Sequence, residues 1–243
     1  MRPRIAGGGF LARAYLELNE VESLENAASN LRDRLLVRLL FRLGCRISEA
    51  LALRVEDIDF DQGTVTIEHL KARLKLSCPQ CSARLGRSHA FCPRCGERVE
   101  KAVGQAKEHR RLRILHLDRD TLEMLRDYIS RGGPVSRGGK HLIFGLNRHR
   151  AWQVVKGCAE KASLPDLMNP ETGRMHGVSP HRLRDSFAVM AVQRDDSTDG
   201  IRMLQEWLGH ASIGTTMRYR KVAGWELKEW YQKLWSRRET DSG

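Results

Sequence analysis

The chain has 243 residues, with 42 Lys and Arg against 30 Asp and Glu for a formal net charge of +12. Its best apolar run, Leu35 to Phe41, is broken by Arg38, so no segment reads as a membrane span or signal peptide, and a soluble, cytoplasmic protein is expected. The basic excess favours a polyanionic partner held through phosphate contacts, although a basic protein without a nucleic-acid role would have the same composition.

Residues 1–14 carry a Gly-Gly-Gly run and little apolar material and read as a tail or linker. A first helix is expected near Asn19, which with Glu22 resembles a capping arrangement, and Val21, Leu24 and Ala28 would form its apolar face. Leu31, Leu35, Leu36, Leu39, Leu40 and Leu43 recur at helical spacing up to Gly44 and predict a core helix. A further helical segment is expected around 47–54. Asp59 to Gly63 reads as a turn, Thr64 to Leu70 alternates as a strand does, and residues 111–117 look like its return strand. The remainder reads as helices over 119–130, 150–162, 180–193, 200–208, 213–219 and 224–235, separated by breakers such as Gly133, Gly138, Pro165, Pro170 and Gly177.

Four of the six cysteines fall as Cys78-Pro-Gln-Cys81 and Cys92-Pro-Arg-Cys95, with ten residues between the pairs. Each short turn lets two thiolates grip one side of a tetrahedral ion. One such pair would equally suit redox chemistry, but two this close read as a structural zinc site with four cysteine ligands. Cys45 and Cys158 read as buried side chains. The ribbon, residues 76–102, lies between the two expected strands and so interrupts the tip of a β-hairpin, where zinc binding would contribute on the order of 10 kcal/mol to folding.

Three polar clusters flank apolar helix faces: Gly44-Cys45-Arg46-Ile47-Ser48-Glu49, then His181-Arg182-Leu183-Arg184, then Leu208-Gly209-His210 followed nine residues later by Tyr219. Singly, each has a plain explanation. Arg46 and Glu49 make an i, i+3 ion pair, His181 and Arg184 a solvated basic face behind Ser179 and Pro180, and Tyr219 a packed aromatic. In this order, together with Ser-Pro-His-Arg-Leu-Arg and Leu-Gly-His-Ala-Ser-Ile-Gly-Thr-Thr-Met-Arg-Tyr, they resemble the tyrosine recombinase or phage integrase family over roughly residues 15–235.

That resemblance implies an α+β, mostly helical catalytic fold with a small antiparallel sheet, here carrying the inserted four-cysteine zinc ribbon, and a tail over 236–243. It implies that Arg46 and Arg184 hold the scissile phosphate, that Tyr219 attacks phosphorus to form a 3′-phosphotyrosine bond, that His181 accepts the phenolic proton, and that His210 adds a hydrogen bond to the phosphate. Planar guanidinium donors suit two phosphate oxygens, and losing either arginine should cost at least about 10² to 10³ in rate. The family's general-acid lysine falls at Lys71, with Lys75 and Lys107 as alternatives beside the insert. Religation exchanges one phosphate ester for another, so neither ATP nor a metal is expected in the chemistry.

The partner implied is double-stranded DNA, bound by a homo-oligomer, a tetramer on DNA. Trp225, Leu227, Trp230, Tyr231 and Leu234 form an amphipathic helix that would pack on a neighbouring protomer or within its own subunit. Arg84, Arg87, Arg94 and Arg98 of the ribbon would touch DNA, or the insert would bridge to another subunit. A non-catalytic DNA-binding remnant and a topoisomerase-like relaxing enzyme are the competing readings. Family members usually carry a helical domain before the catalytic one, whereas almost nothing precedes residue 15 here, as in an excised catalytic domain, a degraded element or a small natural form.

Overall fold

The computed structural model describes residues 13–68, 73–86, 89–99, 103–107, 112–169 and 172–222. These form two compact units, one of residues 68–112 and the other of the chain on either side.

In the larger unit, α1 (Leu18–Asn26) and α2 (Leu31–Arg42) lead into the short α3 (Ile47–Ala52) and a 3-10 turn at Val55–Asp57. The Asn30 side chain caps α2 by accepting the Asp33 amide at 2.9 Å. Glu17, not Asn19, is the N-cap of α1: the Glu20 carboxylate accepts the Glu17 amide at 2.8 Å, and Asn19 lies inside the helix. Val21 and Leu24 are buried as the spacing requires. Leu35, Leu36, Leu39 and Leu40 are wholly buried, so α2 is the central helix of the core. Arg38, which interrupts that apolar run, pairs with the buried Glu25 at 3.0 Å.

Two strands follow, β1 (Ile58–Asp59) and β2 (Thr64–Glu68). The smaller unit supplies β3 (Arg73–Ser77), β4 (Arg84–Leu85) and β5 (Val103–Lys107), and the chain returns along β6 (Leu112–His116). β1, β2 and β6 form one sheet in that order, so β2 and β6 are the expected hairpin pair; β4, β3 and β5 form another. The strands framing the cysteines therefore extend beyond residues 76–102.

Then come α4 (Arg119–Ser130), the hairpin of β7 (Val135–Arg137) and β8 (Lys140–Leu142), and α5 (Arg148–Lys161). The pair β9 (Leu167–Met168) and β10 (Met175–His176) precedes α6 (Pro180–Arg194), α7 (Thr198–Leu208) and α8 (Ile213–Val222). The four small strands β7 to β10 replace stretches expected as loops. α6 packs on α2, and α7 and α8 pack on each other and on α6 through Ala188, Val192, Ile201, Leu204 and Leu208. The tryptophan-rich segment expected as a helix over 224–235 lies outside the described residues. Among the described residues no helix is long and apolar enough to cross a membrane.

Candidate active site

The site is built where the ends of α2 and α7 meet the first turns of α6. Gly44 has a left-handed backbone (φ +54°), and a Cβ there would fall 2.5 Å from Phe187 Cδ1 and 2.9 Å from Leu208 Cδ2. Only glycine permits this turn into α3 against so close a neighbour. The carbonyl so exposed accepts a bond from Arg184 Nη1. Arg184 Nη2 donates to the Leu208 carbonyl at 2.8 Å, at the end of α7. With 3 % of its surface exposed, Arg184 is fixed by two backbone carbonyls from distant parts of the chain. Burial, and then the positive charge of Arg46, lower its pKa.

Gly209 ends α7 in a left-handed cap (φ +64°) and turns His210 back toward Arg184. His210 Nε2 lies 3.0 Å from Arg184 Nη2, and its Nδ1 lies 2.9 Å from Thr216 Oγ1. A guanidinium only donates, so Nε2 accepts and Nδ1 carries the hydrogen and donates to Thr216. Burial, then the charges of Arg184, Arg46 and Arg113, push the His210 pKa down to about 4. The imidazole is therefore neutral near pH 7.

Arg46 is the N-cap of α3. Its Nη1 donates to Glu49 Oε1 at 2.8 Å, and its backbone amide donates to Glu49 Oε2 at 2.9 Å. Arg113 on β6 donates to the same Oε2 at 2.8 Å from Nη2 and to the Trp207 carbonyl from Nη1. The Glu49 side chain is 1 % exposed. Burial alone would raise its pKa, but the Arg113 charge and the bonds from Arg46 outweigh that and hold it below the ordinary value. One buried carboxylate thus orients two guanidiniums.

Tyr219 on α8 donates from its hydroxyl to Asp185 Oδ1 at 3.0 Å, and its ring stacks on His210 with centroids 6.1 Å apart. Burial and the Asp185 carboxylate raise the phenol's pKa well above its ordinary value, with Arg184 opposing. His181 is exposed, and its Nε2 lies 3.8 Å from Asp185 Oδ2. Asp185 therefore stands between the phenol and His181, the residue expected to take the proton.

Arg46, His181, Arg184, His210 and Tyr219 thus lie in one electrostatic neighbourhood. Lys71 lies outside the described residues, while Lys75 and Lys107 belong to β3 and β5. Sequence reasoning missed Arg113, Asp185 and Thr216. A sequence signal existed for one of them. Asp185 lies one helical turn after His181; Arg113 gave none, because the alternating apolar residues Leu112 and Ile114 are exposed and Arg113 shares its strand face with buried Leu115.

In the smaller unit, Cys78, Cys81, Cys92 and Cys95 bring their sulfurs within 4.8 Å of one another. Cys78 to Cys95 is 3.7 Å and Cys81 to Cys92 is 3.5 Å. A tetrahedron of thiolates with metal–sulfur bonds of about 2.3 Å has edges of about 3.8 Å, whereas a disulfide is about 2.05 Å, so these spacings fit metal ligands. The two turns repeat one design: Ser82 and Gly96, each just after a second cysteine, have φ of 55° and 72°, and their amides bond back to the Cys78 and Cys92 carbonyls at 2.9 and 3.0 Å.

The fold and the gathered side chains define an integrase-type α+β domain. The chain belongs to the phage integrase family, whose model matches residues 14–91 and 94–224. It is 30% identical over 213 residues to tyrosine recombinase XerC of Herpetosiphon aurantiacus, covering 85% of this chain and 53% of that protein. It is 28% identical over 229 residues to tyrosine recombinase XerD of Corynebacterium glutamicum, covering 88% and 59%. The chain thus spans a little over half the length of these curated relatives. Its fold is shared with crystalline XerA recombinase (TM-score 0.61, 22% identity, 94% of this chain and 68% of that one). It is shared too with the catalytic domain of bacteriophage HP1 integrase (TM-score 0.51, 16% identity, 95% and 99%).

Proposed function

We propose that this chain carries the strand-exchange chemistry of a site-specific DNA recombinase, with Tyr219 as nucleophile. The observation that supports this best is the Tyr219 phenol, bonded to Asp185 at 3.0 Å beside the buried Arg184. Arg46 and Arg184 bind the scissile phosphate, and Glu49 and the two carbonyls hold them ready before DNA arrives. His210 supplies a further hydrogen bond to the phosphate in its other neutral tautomer: Nε2 leaves Arg184 and carries the hydrogen that it donates, and Nδ1 then accepts from the Thr216 hydroxyl.

In the reaction the phenolic oxygen forms a bond to phosphorus, and the bond from phosphorus to the 5′ oxygen breaks. The phenolic proton passes to Asp185 and on toward His181, and a lysine, with Lys71 the first candidate, protonates the leaving oxygen. Return of the 5′-hydroxyl reverses the step without ATP. The four cysteines hold structural zinc, with no part in this chemistry. The acting form is an oligomer on duplex DNA in the cytoplasm.

Nicked duplex DNA that traps cleavage should give a detergent-resistant covalent adduct with the wild-type chain and none with Tyr219→Phe. DNA binding without an adduct in wild type would refute the nucleophilic role, as would an adduct that persists in the phenylalanine variant.

A further inference from the structure

Eleven Lys and Arg and four Asp and Glu fall between residues 68 and 112, so fewer than one residue in five carry +7 of the chain's +12. Within this unit the strand register sorts them. In β3 the residues alternate Arg73, Leu74, Lys75, Leu76, Ser77, and their partners are Arg73 with Lys107, Lys75 with Gln105 and Ser77 with both Val103 and Arg84. Directly paired residues share a face of an antiparallel sheet. One face of the sheet therefore carries the positions Arg73, Lys75, Arg84 and Lys107, and no acidic residue.

The other face carries the positions Leu74, Leu76, Leu85 and Ala106. Leu76 and Leu85 pack there with Cys78 and Cys92, so the cysteine turns cover the apolar side. Arg84, on the basic side, is exposed. Along a strand, alternate positions repeat at about 7 Å, and neighbouring strands lie about 5 Å apart, so four cationic positions are concentrated on one small sheet face. Arg73 and Lys107 take directly opposed register positions on that face.

We propose that the basic face of the β4-β3-β5 sheet is a second DNA-contact surface, binding backbone phosphates of the duplex through Arg73, Lys75, Arg84 and Lys107. The choice of duplex DNA rests on the recombinase reading above. Phosphate contacts fix position without reading sequence, so the insert adds affinity and register while sequence choice lies elsewhere.

The test uses the full chain carrying Tyr219→Phe, which separates binding from cleavage, with a fluorescent duplex titrated between low and moderate salt. Arg73→Gln with Arg84→Gln should lower the slope of log affinity against log salt by about 1.8, at about 0.9 per lost phosphate contact. Arg84→Gln alone, at an exposed position on a two-residue strand, should remove about half of that and guards against misfolding of the double variant. Bound metal per chain reports that the unit is intact. An unchanged slope with metal retained would overturn the proposal. Equal affinity for single-stranded RNA of the same length, with the same loss in the variants, would overturn the assignment to duplex DNA. If the wild-type chain forms the Tyr219 adduct while the slope stays unchanged, only the insert surface fails; the expected slopes with no adduct leave the surface standing and remove the catalytic reading.

Discussion

The two units are held together by different means. In the larger one, α2 buries Leu35, Leu36, Leu39 and Leu40 completely among surrounding helices, and stability comes from apolar area removed from water. Among the described residues of the smaller one the buried apolar cluster is Cys78, Leu85 and Cys92, with Leu76, Cys81, Ala83 and Val99 beside it. The four cysteines that converge in this cluster point to a metal as a further source of stability, set against the conformational entropy of some forty residues. A domain can therefore take in such an insert without enlarging its own core.

The sharpest way to break this comparison is to remove the metal. Chelation, or Cys78→Ser with Cys81→Ser, should cost the insert on the order of 10 kcal/mol. Amide hydrogens of 73–107 should then exchange freely while those of α2 and α6 stay protected, and metal analysis should give about one ion per wild-type chain. Retained protection in a metal-free insert would show that its sheet stands alone. The converse substitution, Leu39→Ala, should lower the stability of the larger unit by about 2–5 kcal/mol in denaturant titration and leave metal content unchanged.

The same contrast decides what the sequence revealed. Leucines at helical spacing and paired C-x-x-C turns are local patterns, each set by one element, and both were readable as α2 and the cysteine cluster. Arg46, Arg184, His210 and Tyr219 stand out in the sequence through the recurrent segments around them, and the fold brings these side chains together. Asp185 offered only its spacing from His181 and Arg113 offered nothing, because their partners are chosen by folding. Asp185 meets Tyr219 across 34 positions, and Arg113 meets Glu49 across 64. The first cap was misplaced for a smaller reason: Asn19 has cap chemistry, but Glu17 begins the helix and Glu20 closes back on it.

Asp185→Asn probes whether the larger unit's rigidity is spent on positioning a proton acceptor. The variant keeps the shape and loses the negative charge that raises the Tyr219 pKa, so the phenol should titrate nearer its ordinary value, read as the ultraviolet difference against Tyr219→Phe. Cleavage of nicked DNA should nevertheless slow by about 10² or more, the usual contribution of a general base. Unimpaired cleavage with a lowered phenol pKa would leave Asp185 as no more than a packing partner.

The smallest effect separates the two units by pH. His210 titrates near 4 in the folded chain because burial and Arg184 oppose its charge, against an ordinary value of about 6.5. Between those values the unfolded chain binds a proton that the folded chain refuses, so stability rises with pH in that window. The His210 contribution is complete above about 6.5 and is lost progressively as pH falls through about 4. His210→Asn removes that dependence, so the stability gap between wild type and variant should narrow on acidification, whereas parallel curves would show that the imidazole is not held neutral. No tryptophan falls within 68–112, and Trp207 donates to the Leu43 carbonyl at 3.0 Å in the larger unit. The insert therefore contributes no tryptophan fluorescence of its own, while metal release, driven by protonation of the thiolates, reports it in the same samples.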